Sequence, residues 1–305
     1  PGAMSKRAQF GRTASITALT LLAASLVAAC GGVAPATHVV SPPAAASPGS
    51  ATPSPTASAA LPADAIAHPT GPNDVVLRAG TRGGFVRLQT VMSRVPEFTL
   101  YGDGRALVLP PDGDAAGDDL PALRETRLSE DEVQALLAYA LLEGGLGTAR
   151  DAYMGGNMDA PSTVFDLHAD GADRSILVTG LTDDPAPGPD AAAMRAFADL
   201  VAKLRSIPTD ADYASDRTIA FIAETEGAQG PVEAWPWTDL APADFAQPAD
   251  DAAIPFPSHI LDPEQVEAAA SLAGGQPALV GVKGPDGRTY SLLLRPALPD
   301  EVPGG

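Results

Sequence analysis

Leu128-Ser129-Glu130-Asp131-Glu132-Val133-Gln134-Ala135-Leu136-Leu137-Ala138-Tyr139-Ala140-Leu141-Leu142 is the stretch from which the fold is read. Ser129 stands where an N-cap belongs, and Glu132, three residues on, completes a capping box. Each of the two side chains can then satisfy a backbone N–H that the first helical turn leaves without a partner. Leu128 before the cap and Val133 after it form a hydrophobic staple. Val133, Leu136, Leu137, Ala140 and Leu141 recur at helical spacing and make one apolar face. Gly144-Gly145 then stops the helix. The pattern predicts a helix over 128–142 with one side buried.

A second copy of this signature stands at Leu261-Asp262-Pro263-Glu264-Gln265-Val266. It has an apolar residue before the cap, Asp262 as cap, Gln265 three positions later and Val266 as staple partner. Pro263 falls at the favoured first helical position. This helix is predicted over 261–273 and ends at Gly274-Gly275. Each capped helix leads to a hairpin. Thr163–His168 and Ser175–Thr179 turn at Asp170-Gly171, and 278–282 and 290–295 turn at Asp286-Gly287, pairs suited to the positive φ of a tight turn. Ahead of the first helix, Phe98–Tyr101 and Arg105–Leu109 read as a hairpin around Gly102-Asp103-Gly104. Val75–Arg78 and Phe85–Leu88 read as strands around a loop from Gly80 to Gly84. A further amphipathic helix is expected over 190–205, a strand over 218–222 and an extended segment over 232–237. The expected fold class is α+β: two related units, 73–207 and 208–305, each of antiparallel strands, a capped helix and a hairpin.

Working outward to the N-terminus, the chain changes character. Lys6, Arg7 and Arg12 form a basic region, followed by the uncharged apolar stretch Ile16–Ala29. That stretch is shorter than the roughly 20 residues a spanning helix needs, which favours a cleaved signal. It ends Leu26-Val27-Ala28-Ala29-Cys30 and resembles the bacterial lipobox. The resemblance implies cleavage after residue 29 and lipidation of Cys30, the only cysteine in the chain. Lipidation of this kind supplies at least two acyl chains, enough for stable anchoring. From 31 to 72 the sequence is Ala, Pro, Ser, Thr and Gly with almost no charge. Such a composition cannot offset its ordering entropy, so 30–72 is expected to be a disordered tether behind the lipid. It would reach roughly 40 Å as a coil and about 140 Å as polyproline.

The segment Phe98–Pro110, together with Leu128–Val133, resembles an uncharacterised family of secreted lipoproteins of GC-rich bacteria. The resemblance covers most of 75–205 and brings no catalytic residues with it. With a signal peptide at 1–29, it implies a location on the extracytoplasmic face of the cell membrane.

The composition narrows the partners. The 305 residues carry a formal net charge of -19, and loss of Lys6, Arg7 and Arg12 with the signal makes the mature chain more acidic still. Such a surface repels nucleic acid over about a Debye length, so no nucleic-acid partner is expected. A membrane contact through the lipid on Cys30 is expected, and a protein or glycan partner is left open. Aromatic residues are only 5%, so much of the 45% hydrophobic content is small alanine. A single cysteine excludes an intramolecular disulfide.

The chemistry-bearing motifs are sparse. Asp112-Gly113-Asp114-Ala115-Ala116-Gly117-Asp118-Asp119 begins like a calcium loop, with Gly117 at the sixth position. Ala116 and Leu123, however, stand where further oxygen ligands are needed. Asp112, Asp114 and Asp118 are thus candidate cation ligands against the reading of a solvated loop. His38 and His68 lie in the expected tether. His168 shares a strand face with Asp166 and Asp170, and His259 precedes a helix. No Gly-x-Ser-x-Gly, Ser-x-x-Lys, His-Glu-x-x-His or phosphate-binding glycine loop occurs. Trp235 and Trp237 flank Pro236 and point to one side, as a ligand platform or as core. No cofactor is expected. The sequence reads as a membrane-anchored lipoprotein that binds or scaffolds at the cell envelope. The alternative is an envelope enzyme, possibly a hydrolase. A concave pocket with converging titratable groups would speak for the enzyme, and an open surface bearing the two tryptophans for binding.

Overall fold

The protein is described by a computed structural model at residues 65–111, 120–155, 159–227, 231–250, 252–270, 272 and 279–301. The described residues all belong to one unit, Ala59–Gly305. The fold is α+β, with helices packed on two mixed sheets.

The elements in chain order are β1 (Val75–Arg82), α1 (Leu88–Met92), β2 (Phe98–Tyr101), β3 (Arg105–Val108), β4 (Arg124–Arg127) and α2 (Glu130–Leu141). Next come β5 (Ala152–Met154), β6 (Ser162–Ala169), β7 (Ala172–Thr179), α3 (Ala191–Arg205) and β8 (Ala211–Asp212). The second half holds β9 (Thr218–Glu224), β10 (Val232–Ala234), β11 (Ser258–Leu261), α4 (Pro263–Ala270), β12 (Val280–Lys283) and β13 (Thr289–Pro296). The first sheet has the order β5-β7-β6-β1-β2-β3-β4-β8, and the second β10-β12-β13-β9-β11.

Side-chain alternation sorts these elements into layers. Phe98, Leu100, Ala106 and Val108 leave the first sheet on one face and meet Val133, Leu137, Phe197 and Leu204 of α2 and α3. Tyr101 and Leu107, on the opposite face, pack with Val95 and Leu298. In β9, Ile219, Phe221 and Ala223 turn towards α1, whose Met92 is fully buried among them. Ala220 and Ile222 turn away, into a core with Trp237, Leu240 and Phe245.

Both capping boxes form. The Ser129 N–H donates to Glu132 Oε2 at 2.8 Å, and the Glu132 N–H donates back to Ser129 Oγ. The Asp262 N–H donates to Gln265 Oε1 at 3.1 Å, and the Gln265 N–H to Asp262 Oδ1 at 2.8 Å. A box of this kind stabilises a helix by about 1 kcal/mol. The hydrogen bonds also hold the Glu132 carboxyl below its ordinary value. Asp170 and Gly171 both take positive φ, 55° and 71°, the two-residue turn that matches strand twist. Gly104, at φ 83°, closes β2–β3, and a Cβ there would lie 2.5 Å from the Leu128 carbonyl. Only glycine lets that turn sit against the start of α2.

Each sheet thus carries a boxed helix and a hairpin, and each ends in a short strand parallel to its neighbour, β5 beside β7 and β10 beside β12. The hairpins enter in opposite order. In the first sheet the leading strand β6 pairs with β1, whereas in the second the trailing strand β13 pairs with β9. Burial accounts for this: β6 and β13 are the more enclosed strand of each pair, and each takes the inner position.

Two sequence expectations change. Phe85–Leu88 is not a strand. β1 runs on through Gly80 to Arg82, and Gly83 and Gly84, at φ 66° and 81°, throw the chain outward. Phe85 is fully exposed at that tip, and α1 begins at Leu88. Residues 65–72, assigned to the tether, dock on the fold. The Ile66 N–H donates to Gln134 Oε1 at 2.8 Å, and the Asp170 N–H to the Ala67 carbonyl at 2.7 Å. The His68 ring is buried between the Pro69 carbonyl and Glu130. The second capped helix runs from Pro263 to Ala270 among the described residues, and its expected stop at Gly274-Gly275 lies outside them. No helix among the described residues is long and apolar enough to cross a membrane.

Candidate functional site

Cys30 and the acidic stretch with Asp112, Asp114 and Asp118 lie outside the described residues. Among those described, no three His, Cys, Asp or Glu side chains gather as a metal site. His168 sits on a half-exposed strand position, 3.1 Å from Asp173 across the hairpin. His259 packs against the Phe245 ring, with centroids 5.6 Å apart. The two tryptophans meet edge to face at 5.2 Å. Trp237 is 5% exposed and donates from Nε1 to the Gln265 carbonyl at 2.8 Å. Trp235 is half-buried and donates to the Leu240 carbonyl at 2.6 Å. Both indole N–H groups are therefore spent on the backbone, and Trp237 belongs to the core of the second sheet. The pair anchors the 235–245 segment and does not present two open faces.

Among the described residues two hollows stand out, one of about 300 Å³ beside Leu123 and Tyr213 and a larger one between the sheets. Residues of both sheets line a cleft of about 410 Å³. On one side the face of β1, β6 and β7 that turns away from α2 and α3 contributes Arg78, Gly80, Arg82, Val164, Asp166 and Ser175. On the other, β9, β11 and β13 contribute Ile219, Phe221, Ser258 and Arg295. Arg94 and Pro96, after α1, and the loop holding Ile254 and Phe256 complete the wall. The volume falls in the usual range of small-molecule sites, and the mix of apolar walls with a few polar groups is typical of them.

The charges of this cleft are ordered by two adjacent acids. Asp300 and Glu301 lie in the short 3-10 turn Pro299–Glu301 and each takes an arginine from a different sheet. Asp300 Oδ1 accepts from Arg78 Nη2 at 2.7 Å and from the Tyr101 hydroxyl at 2.7 Å. Glu301 accepts from both terminal nitrogens of Arg295, at 2.8 and 2.5 Å, a forked pair. Arg295 is 3% exposed, and its guanidinium lies over the Phe221 ring, 5.0 Å from the centroid. Burial works against the charge of Arg78. The charge and hydrogen bond of Asp300 more than offset it, so Arg78 sits above its ordinary value. Burial and the charge of Asp300 also push the Tyr101 hydroxyl far up.

Arg94 is placed differently. Its Nη2 donates to the Gly83 carbonyl at 3.0 Å, while Nη1 is buried without a hydrogen-bond partner. Burial lowers its pKa, partly countered by the charge of Glu97.

Comparison of the chain with protein-family models, with curated proteins and with solved structures returns no match.

Sequence reasoning missed the cleft because its walls come from strands far apart in the chain. The available signal was an arginine set into an apolar strand, Val75-Val76-Leu77-Arg78 and Leu292-Leu293-Leu294-Arg295. A charge in such a run is either paired or faces a cavity; here it does both.

Proposed function

We propose that this chain is a lipid-anchored protein of the extracytoplasmic membrane face whose folded part binds a small ligand in the cleft between its sheets. The single observation that carries the binding half is the 410 Å³ cleft itself, where apolar side chains and arginines from both sheets converge. A hydrolase also needs concavity and titratable groups. What weighs for binding is the state of the acids. Two of the three lining carboxylates, Asp300 and Glu301, already accept from arginines. The charges of these two are thus already met within the fold. The anchoring half rests on the sequence: a basic start, a short apolar stretch and the chain's sole cysteine at its end.

Two experiments test the halves separately. Cells fed a fatty-acid probe should label the wild type and not Cys30→Ala. A labelled Cys30→Ala protein, or an unlabelled wild type, removes the anchor. For binding, thermal unfolding of the full chain is followed against amino acids, sugars, nucleosides and small organic acids. A ligand present at about 100 times its Kd stabilises by about 2.7 kcal/mol. Ala252→Trp, which fills the cleft wall, should abolish that gain. A gain that persists undiminished in this variant places binding elsewhere and refutes the cleft.

A further inference from the structure

The chain is strongly acidic, yet Val75–Pro96 carries four arginines and no acid. Three of these, Arg78, Arg82 and Arg94, line the cleft with Arg295. The cleft is lined by four guanidinium groups and three carboxylates, a small positive excess on a chain of net charge -19.

The donors there are not all satisfied. Among the described residues, four buried side-chain atoms have no hydrogen-bond partner, and two of them, Arg94 Nη1 and Arg295 Nε, belong to the cleft wall. A buried donor without an acceptor is costly, the more so for a charged group. Buried polar groups are otherwise paired almost without exception, so an unmet donor calls for a partner. Arg295 is committed to Glu301 through both terminal nitrogens, and Arg78 to Asp300. Arg94 has one carbonyl, that of Gly83, and a terminal nitrogen to spare. It is the cation best able to accept an incoming anion.

Much of the remaining wall is apolar, beside Thr81, Ser175 and Ser258 and the three carboxylates. Val164, Ile219, Phe221, Ile254 and Phe256 all line the cleft and offer nothing to a second polar group. They fit hydrocarbon, whose removal from water is favourable.

We propose that the cleft takes an amphipathic organic anion, its carboxylate or phosphate head on the Arg94 guanidinium and its hydrocarbon part along Ile219, Phe221, Ile254 and Phe256. The inference rests on the cleft being the binding site and adds the ligand's chemical class. Arginine suits the role because its planar fork meets either head group with two parallel hydrogen bonds.

The test uses the full chain and three probes of one tail length: hexanoate, hexyl phosphate and the neutral hexanamide. Calorimetric titration should show one or both anions binding at least tenfold tighter than the amide. The tighter anion names the head group. Arg94→Gln should weaken the anion at least tenfold and leave the amide unchanged, whereas Arg94→Lys should recover part of the loss. Far-UV circular dichroism identifies any variant that has lost its fold, and the anion-to-amide ratio in Arg94→Lys then decides alone. Equal binding of anion and amide overturns the inference, as does an unchanged anion affinity in Arg94→Gln. Binding of the amide alone, lost in Ala252→Trp, overturns the anion and keeps the cleft. Binding of an anion that is unchanged in Ala252→Trp overturns both, and so does failure of all three probes and of the wider ligand set.

Discussion

Replacing Glu301 by alanine is expected to lower the unfolding free energy by about 3 kcal/mol, at the lower end of the range for breaking a buried ion pair. Arg295 is enclosed between β9 and the C-terminal turn, with Glu301 on both terminal nitrogens and Phe221 beneath. Without the carboxylate, the cation keeps only the Pro296 carbonyl, 2.9 Å from Nη1, and the ring. The variant also strips the Leu298 N–H of its acceptor, Glu301 Oε2 at 2.8 Å. Glu301 is itself 23% exposed, so water reaches the vacated space and moderates the loss. An internal control is at hand. Glu224 and Arg288 form a pair of similar length, 2.9 Å, with both partners more than half exposed. Glu224→Ala should cost less than about 1 kcal/mol. Urea titration of both variants reads the difference. The double replacement Arg295→Met with Glu301→Leu should recover most of the loss, since it leaves no unpaired ion and only the Leu298 N–H still lacks its acceptor. Equal losses for Glu301→Ala and Glu224→Ala would show that burial does not govern these pairs.

Phe197→Ala should cost about 3–5 kcal/mol, the range for deleting a fully buried aromatic side chain. Phe197 is fully buried on α3 and touches two other rings of its core. Tyr153 approaches edge-on at 4.9 Å and Phe165 lies at 5.7 Å. The ring is thus what seats α3 on β6. In a chain with few aromatics, its neighbours are mostly small or aliphatic and can fill the void only in part. Phe85→Ala removes the same atoms from a residue in full solvent and should stay within about 0.5 kcal/mol. Thermal or urea unfolding of the pair measures the contrast. A Phe197→Ala protein within 1 kcal/mol of wild type would mean that α3 is not seated by this ring.

The parts of the fold that were legible in the sequence are those decided within a few residues. The capping boxes at Ser129 and Asp262 each join groups three positions apart, and the Asp170-Gly171 turn requires only its own backbone angles. Their helices and hairpins follow. What was not legible depends on partners elsewhere in the chain. Ile66 and His68 sit in a stretch whose composition reads as tether, yet they are held by Gln134 and Glu130 of α2. Phe85-Val86-Arg87-Leu88 has a strand's composition, and the two glycines before it remove it from the sheet. Trp235 and Trp237 were read as sharing a side, and they touch each other, but what encloses them is Phe245 and Tyr290. The cleft is the extreme case, since no single strand shows that a second sheet lines it too.

The two acids that join the sheets also set a problem of order in time. Arg78 and its counter-ion Asp300 are separated by 222 positions along the chain. The strands β1 to β7 can pair and collect their helices from nearby sequence, but Arg78 must wait in that sheet until β13 has been placed and the turn after it swings back. Closing so long a loop carries an entropic cost before any contact repays it, and contacts of high sequence separation slow the search. The first sheet should therefore assemble early with an unpaired cation on its open face, and the second should dock in a later, slower phase that ends when Asp300 and Glu301 engage.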